Sequence, residues 1–169
     1  MDLRGQSANV GGRKMVMVDF PGFHPWARAR TRYGSYYDSQ AELKESLFYY
    51  FHEALKNNGG KPLDGPLGLV AFFYRKRPKG HTKKQRDNPY CTVRPDLDNL
   101  EKFVLDCSQT HGLITDDSKI VSKFSLKLWG KDDRTIFVFD GWDNRSRVIT
   151  GFSDIRFNGR VFSFGSLCG

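Results

Sequence analysis

Four aspartates stand in two pairs around one short stretch: Asp96 and Asp98 in RPDLDNLEKFVLD, and Asp116 and Asp117 in GLITDDSKIV. Grouped carboxylates repel and raise one another's pKa, a cost that a hard divalent cation removes while binding more tightly as they deprotonate. Mg²⁺, with Mn²⁺ as a substitute, suits such a set because it takes a few carboxylates and keeps its remaining positions for water and substrate phosphate. Asp96, Asp98 and Asp117 are therefore expected as metal ligands, and Asp116 as a further ligand or as a partner of one. Each pair also has a plainer explanation. Pro-Asp-x-Asp is an ordinary helix start, one acid capping and the next complementing the dipole, and two aspartates before a strand suit a turn. The surroundings favour the metal: the chain carries a net charge of +8, and the segment just before the first pair is strongly basic. An EF-hand fits poorly, since Glu101 stands where a loop begun at Asp96 needs its turn glycine.

The elements that must position these acids can be read around them. Pro95 and Asp96 open a helix expected to run to about Thr110, with Leu97, Leu100, Val104 and Cys107 facing a core and Asp98, Glu101 and Lys102 on exposed flanks. Gly112 stops it. A strand follows Ser118, with Ile120, Phe124, Leu126 and Leu128 on one face. This arrangement is expected to bring Asp96, Asp98 and Asp117 together at one sheet edge. Lys102, one turn past Asp98, is placed either to hold or neutralise a phosphate or to pair with Asp98 or Asp106.

At 169 residues, with 38% hydrophobic and 14% aromatic content, the chain suits one domain with a real core. The positive balance points to a polyanion, nucleic acid before membrane, because no long apolar run or basic amphipathic helix occurs. Met1–Lys14 lacks the apolar centre of a signal peptide. A cytoplasmic setting, nucleoid-associated or at sites of viral or phage DNA, is expected. Cys91, Cys107 and Cys168 have no paired spacing and read as free thiols.

Residues 1–13 read as a flexible tail, 14–140 as the domain and 141–169 as an extension. Met15–Phe20 is a first strand, Ser39 caps a helix to about Asn57, and Leu67–Tyr74, apolar on both faces, is a central strand. Gly130–Asp133 is expected to turn the strand after Ser118 into an antiparallel partner over Arg134–Phe139. The fold class is α+β: a single compact domain with a mixed four-stranded sheet and two main helices, extended by a C-terminal hairpin about Asn158-Gly159. Ile155, Phe157, Phe162 and Phe164 form an apolar face of that hairpin. Two segments suit contact with phosphates: Arg28, Arg30 and Arg32, alternating among aromatics, and the loop Arg75–Arg94, with eight basic residues against one acid. In that loop Lys79, Lys83, Lys84, Arg86 and Arg94 are the DNA-contact candidates, with His81 as a possible phosphate contact.

The run RPDLDNLEKFVLD followed by GLITDDSKIV resembles the RusA family of Holliday junction resolvases, in an Asp-apolar-Asp-Asn helix start, a Lys four residues on and an Asp pair opening the next strand. Here these are Asp96, Asp98, Asn99, Lys102, Asp116 and Asp117; Pro78, Lys79, Gly80 and His81 resemble the family's basic element before the helix. The resemblance spans roughly Met15–Phe139 and implies a homodimeric, Mg²⁺-dependent endonuclease cutting four-way DNA junctions, with Asp96, Asp98, Asp117 and Lys102 catalytic. Two other functions fit the same residues. One is a non-catalytic branched-DNA binder; the other is a metal nuclease for flaps, since substrate shape is selected by basic surface and dimer geometry and not by carboxylates.

Overall fold

A computed structural model describes residues 7–10, 13–28, 30–32, 35–141, 155–157 and 160–162, with side chains for 15–28 and 37–141. Ser7–Val10 (β1) and Arg13–Pro21 (β2) pair antiparallel, so a strand stands within the stretch expected to be a tail. Two short strands, Arg30–Arg32 (β3) and Ser35–Tyr37 (β4), form a separate antiparallel pair. The first helical stretch is two helices, Ala41–Ser46 (α1) and Phe48–Asn57 (α2), meeting at Leu47, and its N-cap is Gln40 in place of the expected Ser39. Then come Leu67–Lys76 (β5), Lys83–Asp87 (α3), Leu97–Thr110 (α4), a 3-10 turn at Asp117–Lys119, Ile120–Gly130 (β6) and Arg134–Gly141 (β7). Ile155–Phe157 (β8) and Arg160–Phe162 (β9) pair antiparallel, Ile155 opposite Phe162, which is the expected hairpin. Its Asn158-Gly159 turn and Phe164 lie outside the described residues.

The mixed sheet has the order β1-β2-β7-β5-β6, four main strands with short β1 added at one edge. β5 is central because Leu67–Phe73 are all buried; a strand with both faces apolar must be flanked on both sides. Its neighbours are β6, parallel, and β7, antiparallel. β6 and β7 are therefore not the hairpin expected from their short connection. Gly130–Asp133 instead crosses the end of β5, where the Gly130 carbonyl accepts from Arg77 N at 3.0 Å and Asp133 Oδ1 from Lys76 N at 2.7 Å. These bonds satisfy the last donor of β5 and the one that follows it, so the strand is capped by the connection that passes over it.

The parallel β5–β6 pair requires a crossover, and α4 supplies it. Its buried face is Leu100, Phe103, Val104, Cys107 and Ser108, with Leu97 partly covered, close to the expected stripe. These pack with Val16, Val18, Phe20, Phe51, Ala54, Leu69, Ala71, Phe73, Phe137 and Phe139 into one core. Gly112 ends the helix at φ 68°, as expected of its conformational freedom. Cys91 and Cys107 are free and buried; burial pushes the Cys107 thiol up to about 12. Among the described residues no helix is long and apolar enough to cross a membrane.

Lys44 of α1, 8% exposed, reaches Asp38 at 2.6 Å and also pairs with Asp106 of α4. Burial is the largest influence on its pKa and lowers it, yet the hydrogen bonds and charges of the two carboxylates together prevail and leave it raised. Asp38 is lowered, first by its hydrogen bond from Lys44. A depressed carboxylate stabilises the fold above its unfolded pKa and loses that contribution as pH falls through its folded value; a raised lysine stabilises below its unfolded pKa and loses its contribution above its folded value. Lys44→Met is expected to cost roughly 1–2 kcal/mol at neutral pH. In urea melts the gap to wild type should shrink below about pH 4, as Asp38 protonates, and above about pH 10.5, as Lys44 discharges. A gap that does not change with pH would show that Lys44 acts through its packed stem alone.

Candidate active site

The first acid pair stands at the N-terminus of α4. Asp96 is the N-cap residue, extended at φ −71° and ψ 152°, but its side chain makes no capping bond; Asp98 lies in the first turn. Both are exposed. Among the described residues neither carboxylate accepts a hydrogen bond or joins an ion pair, so the capping role that would explain Asp96 without chemistry is not used. The approach to these acids is fixed from two sides. Along the outer edge of β6, Trp129 N donates to Pro89 O at 2.8 Å and Cys91 N to Lys127 O at 2.9 Å, while Lys127 Nζ donates to the carbonyls of Val93 at 2.8 Å and Pro95 at 2.7 Å. From β5, the Arg75 guanidinium donates to the Arg94 carbonyl and lies 5.8 Å from the Phe23 ring centroid. Glu101 pairs with Lys123 at 2.6 Å, joining α4 to β6.

Asp96 opens into a cleft of about 560 Å³ lined by Phe23, Arg75, Arg94, Pro95, Asn99 and Asp133. Of these, Arg75, Phe23 and Asp133 escape a reading of the sequence. Arg75 is hidden as the first member of a basic run, and Asp133 looks like a turn residue until the turn is seen to pass over β5. Arg94 was expected to bind DNA, and the cleft places it beside Asp96.

The second pair is held elsewhere. Leu63 bridges Ile114, with Leu63 N donating to Leu113 O at 2.8 Å and Thr115 N to Leu63 O at 3.1 Å; Asp64 accepts from Thr115 Oγ1 at 2.9 Å and pairs with Lys119 at 3.6 Å. Asp116 Oδ1 accepts from Ser118 N at 2.7 Å. Hydrogen bonds from Ser118, first the side chain and then the backbone, lower its pKa. It is the cap of the 3-10 turn, which leaves Asp117 as the exposed and locally unbonded acid of the pair. The two pairs lie at opposite ends of a 14-residue helix, which at 1.5 Å per residue is about 20 Å long. Among the described residues no three His, Cys, Asp or Glu groups stand close enough to hold a metal ion. The expected meeting of Asp96, Asp98 and Asp117 at one sheet edge does not occur within one chain, because a parallel crossover puts the two ends of its helix at opposite ends of the strands.

Lys102 is exposed and pairs with neither Asp98 nor Asp106; its Nζ lies 4.4 Å from the centroid of the Trp26 ring, and Asp106 is taken by Lys44. The basic segment is more ordered than the long loop expected. Thr82 and Gln85 form a capping box on α3, and the Arg77 guanidinium donates to the carbonyls of Gln85 at 2.6 Å and Asn88 at 3.1 Å. Lys79, Lys83, Lys84 and Arg86 are exposed along it, Arg86 Nε donating to His81 O at 3.0 Å. His81, expected as a possible phosphate contact, is half-buried and edge-on to Trp129 at 4.9 Å. Arg28 is exposed; Arg30 and Arg32 lie on β3, their side chains outside the described residues.

Exposed, uncommitted carboxylates flanked by a basic ridge on an α+β scaffold are what a protein that handles polyanions needs. Residues 23–138 match the family of the endodeoxyribonuclease RusA, a span that holds both acid pairs, Lys102 and the basic segment. The chain belongs to this family of Holliday junction resolvases and is a nuclease acting on branched DNA. No curated protein matches it. Neutralising the ridge through Lys83→Ala, Lys84→Ala and Arg86→Ala should weaken junction binding and reduce the salt dependence by about 0.9 in slope for each phosphate that is no longer neutralised. A slope equal to that of the wild type would place the DNA on another face.

Proposed function

We propose that the protein cuts four-way junctions by Mg²⁺-dependent hydrolysis of two opposed phosphodiesters, one at each site of a two-fold homodimer. The observation that carries this reading is the pair Asp96 and Asp98: exposed at a helix start, relieved of capping and unpaired, beside Arg75 and Arg94. Their donor chemistry fits the ion, since Mg²⁺ is held by one or two carboxylates with water and substrate phosphate completing its shell. When bound, such an ion supplies an activated water and neutralises charge developing on the phosphate. The chain's own residues do the rest. Arg94 and Arg75 draw the backbone toward the cleft, and the Lys102 ammonium, one turn beyond Asp98, stabilises the extra charge of the transition state.

A dimer is supported by the separation of the acid pairs as well as by the symmetry of the junction. Two-fold pairing allows the Asp117 end of one chain to meet the Asp96–Asp98 end of the other, and it yields two equivalent sites for two incisions. Asp96→Asn, Asp98→Asn or Asp117→Asn should each abolish cleavage in Mg²⁺ by about a hundredfold or more while junction binding persists, because affinity comes from Lys and Arg. Any of them that still cuts at the wild-type rate is not a catalytic acid. Mixing chains tests the shared site directly. If Asp117 acts across the dimer, Asp98→Asn chains combined with Asp117→Asn chains regain one intact site per mixed dimer and nick one strand. A mixture as inactive as its parents, in dimers verified by light scattering, would place all the acids of a site in one chain.

A further inference from the structure

The segment between β2 and β3 has a use that neither the acids nor the basic ridge explains. Trp26 is partly buried against the core, and its backbone N–H donates to the Asn99 carbonyl of α4 at 2.8 Å. Its two chain neighbours are held by one side chain: Gln40 Oε1 accepts from Ala27 N at 2.7 Å, and Gln40 Nε2 donates to the Pro25 carbonyl at 2.9 Å. The indole is thereby anchored to α4 on one side and to the start of α1 on the other. Over its ring, 4.4 Å from the centroid, sits the Lys102 ammonium.

A lysine on an exposed helix face ordinarily samples many rotamers, and ordering its four-carbon stem costs entropy each time it must meet a ligand. An ammonium over an indole face is held by the ring quadrupole. Here the tether holds it on the turn of α4 that follows Asn99, the residue bonded to Trp26, and Asn99 lines the same cleft as Asp96. We infer that Trp26 is a positioning residue for the nuclease reaction: its ring stores the Lys102 ammonium one turn from the cleft-lining Asn99, so that a phosphate bound at the cleft meets a cation already in place. The inference rests on the role proposed above for Lys102, and it concerns the order of that side chain before the substrate arrives.

Single-turnover cleavage of a synthetic four-way junction tests it. Trp26→Leu is expected to lower the cleavage rate about tenfold with junction affinity unchanged, and Trp26→Phe to restore most of the loss, since a smaller ring still offers a face. In a Lys102→Met background Trp26→Leu should cost nothing further. Equal losses in both backgrounds, or a change in affinity alone, would make Trp26 a packing or DNA-contact residue and overturn the proposal. A readout free of activity is the proton NMR spectrum of the wild-type protein. The Lys102 ε-methylene signals, identified by their loss in Lys102→Arg, should be shifted upfield by the indole ring current, and unshifted signals would also overturn it. If Lys102→Met itself cleaves at the wild-type rate, the catalytic role of Lys102 fails, and the NMR shift still decides whether Trp26 holds it.

Discussion

Parallel pairing of β5 with β6 obliges the chain between them to return across the sheet, and that return generates nearly every feature of interest. It makes α4 necessary and fixes which of its faces is buried. It also sends the basic segment around the far end of β5 and back along β6, where Pro89 and Cys91 occupy the outer edge of the strand through backbone bonds. An exposed edge of eleven residues is an aggregation hazard; here part of it is covered by the same residues that carry the chain into the acid-bearing helix. Lys127, pointing from that strand to the carbonyls of Val93 and Pro95, turns edge protection into positioning of Asp96.

The constraint that builds the site also divides it. Strands and helix of a crossover run in opposite senses, so the helix start and the next strand's start fall at opposite ends of the strands, and no side-chain adjustment spans a helix about 20 Å long. Each half is locally well made all the same. Asp116 is consumed as a cap, leaving Asp117 outward; Asp96 is spared capping, leaving it outward too. Acids left exposed and unbonded at both ends are what the two-chain site proposed above requires.

Much of this was legible in the sequence, and the misses have physical causes. The bounds of α4 follow from Pro95, the apolar spacing and Gly112, all local signals, and the buried status of β5 follows from an apolar run with no polar face. The pairing partner of β6 was not legible, because a four-residue connection suggests a hairpin whether or not another strand lies between its arms; only the apolar demand of β5 for two neighbours decides it. The break at Leu47 carries no proline or glycine to announce it. The meeting of the acids failed as an expectation for the same reason as the hairpin: nearness along the chain does not give nearness in space across an element of fixed length.

Lys102 shows how tertiary context chooses among local options. At helical spacing Asp98 and Asp106 were both within reach, and an i,i+4 ion pair on an exposed face contributes only about 0.3–0.5 kcal/mol. Asp106 is taken by Lys44, which is buried and shared with Asp38, and Trp26, bonded to Asn99, stands with its ring under the Lys102 ammonium. With one carboxylate occupied and an aromatic face delivered by a distant segment, the ammonium settles on the ring and Asp98 keeps its charge unneutralised. Each half of that outcome suits the proposed chemistry: a carboxylate paired with lysine would attract a divalent ion less, and a lysine paired with a carboxylate would have to break that pair before meeting a phosphate.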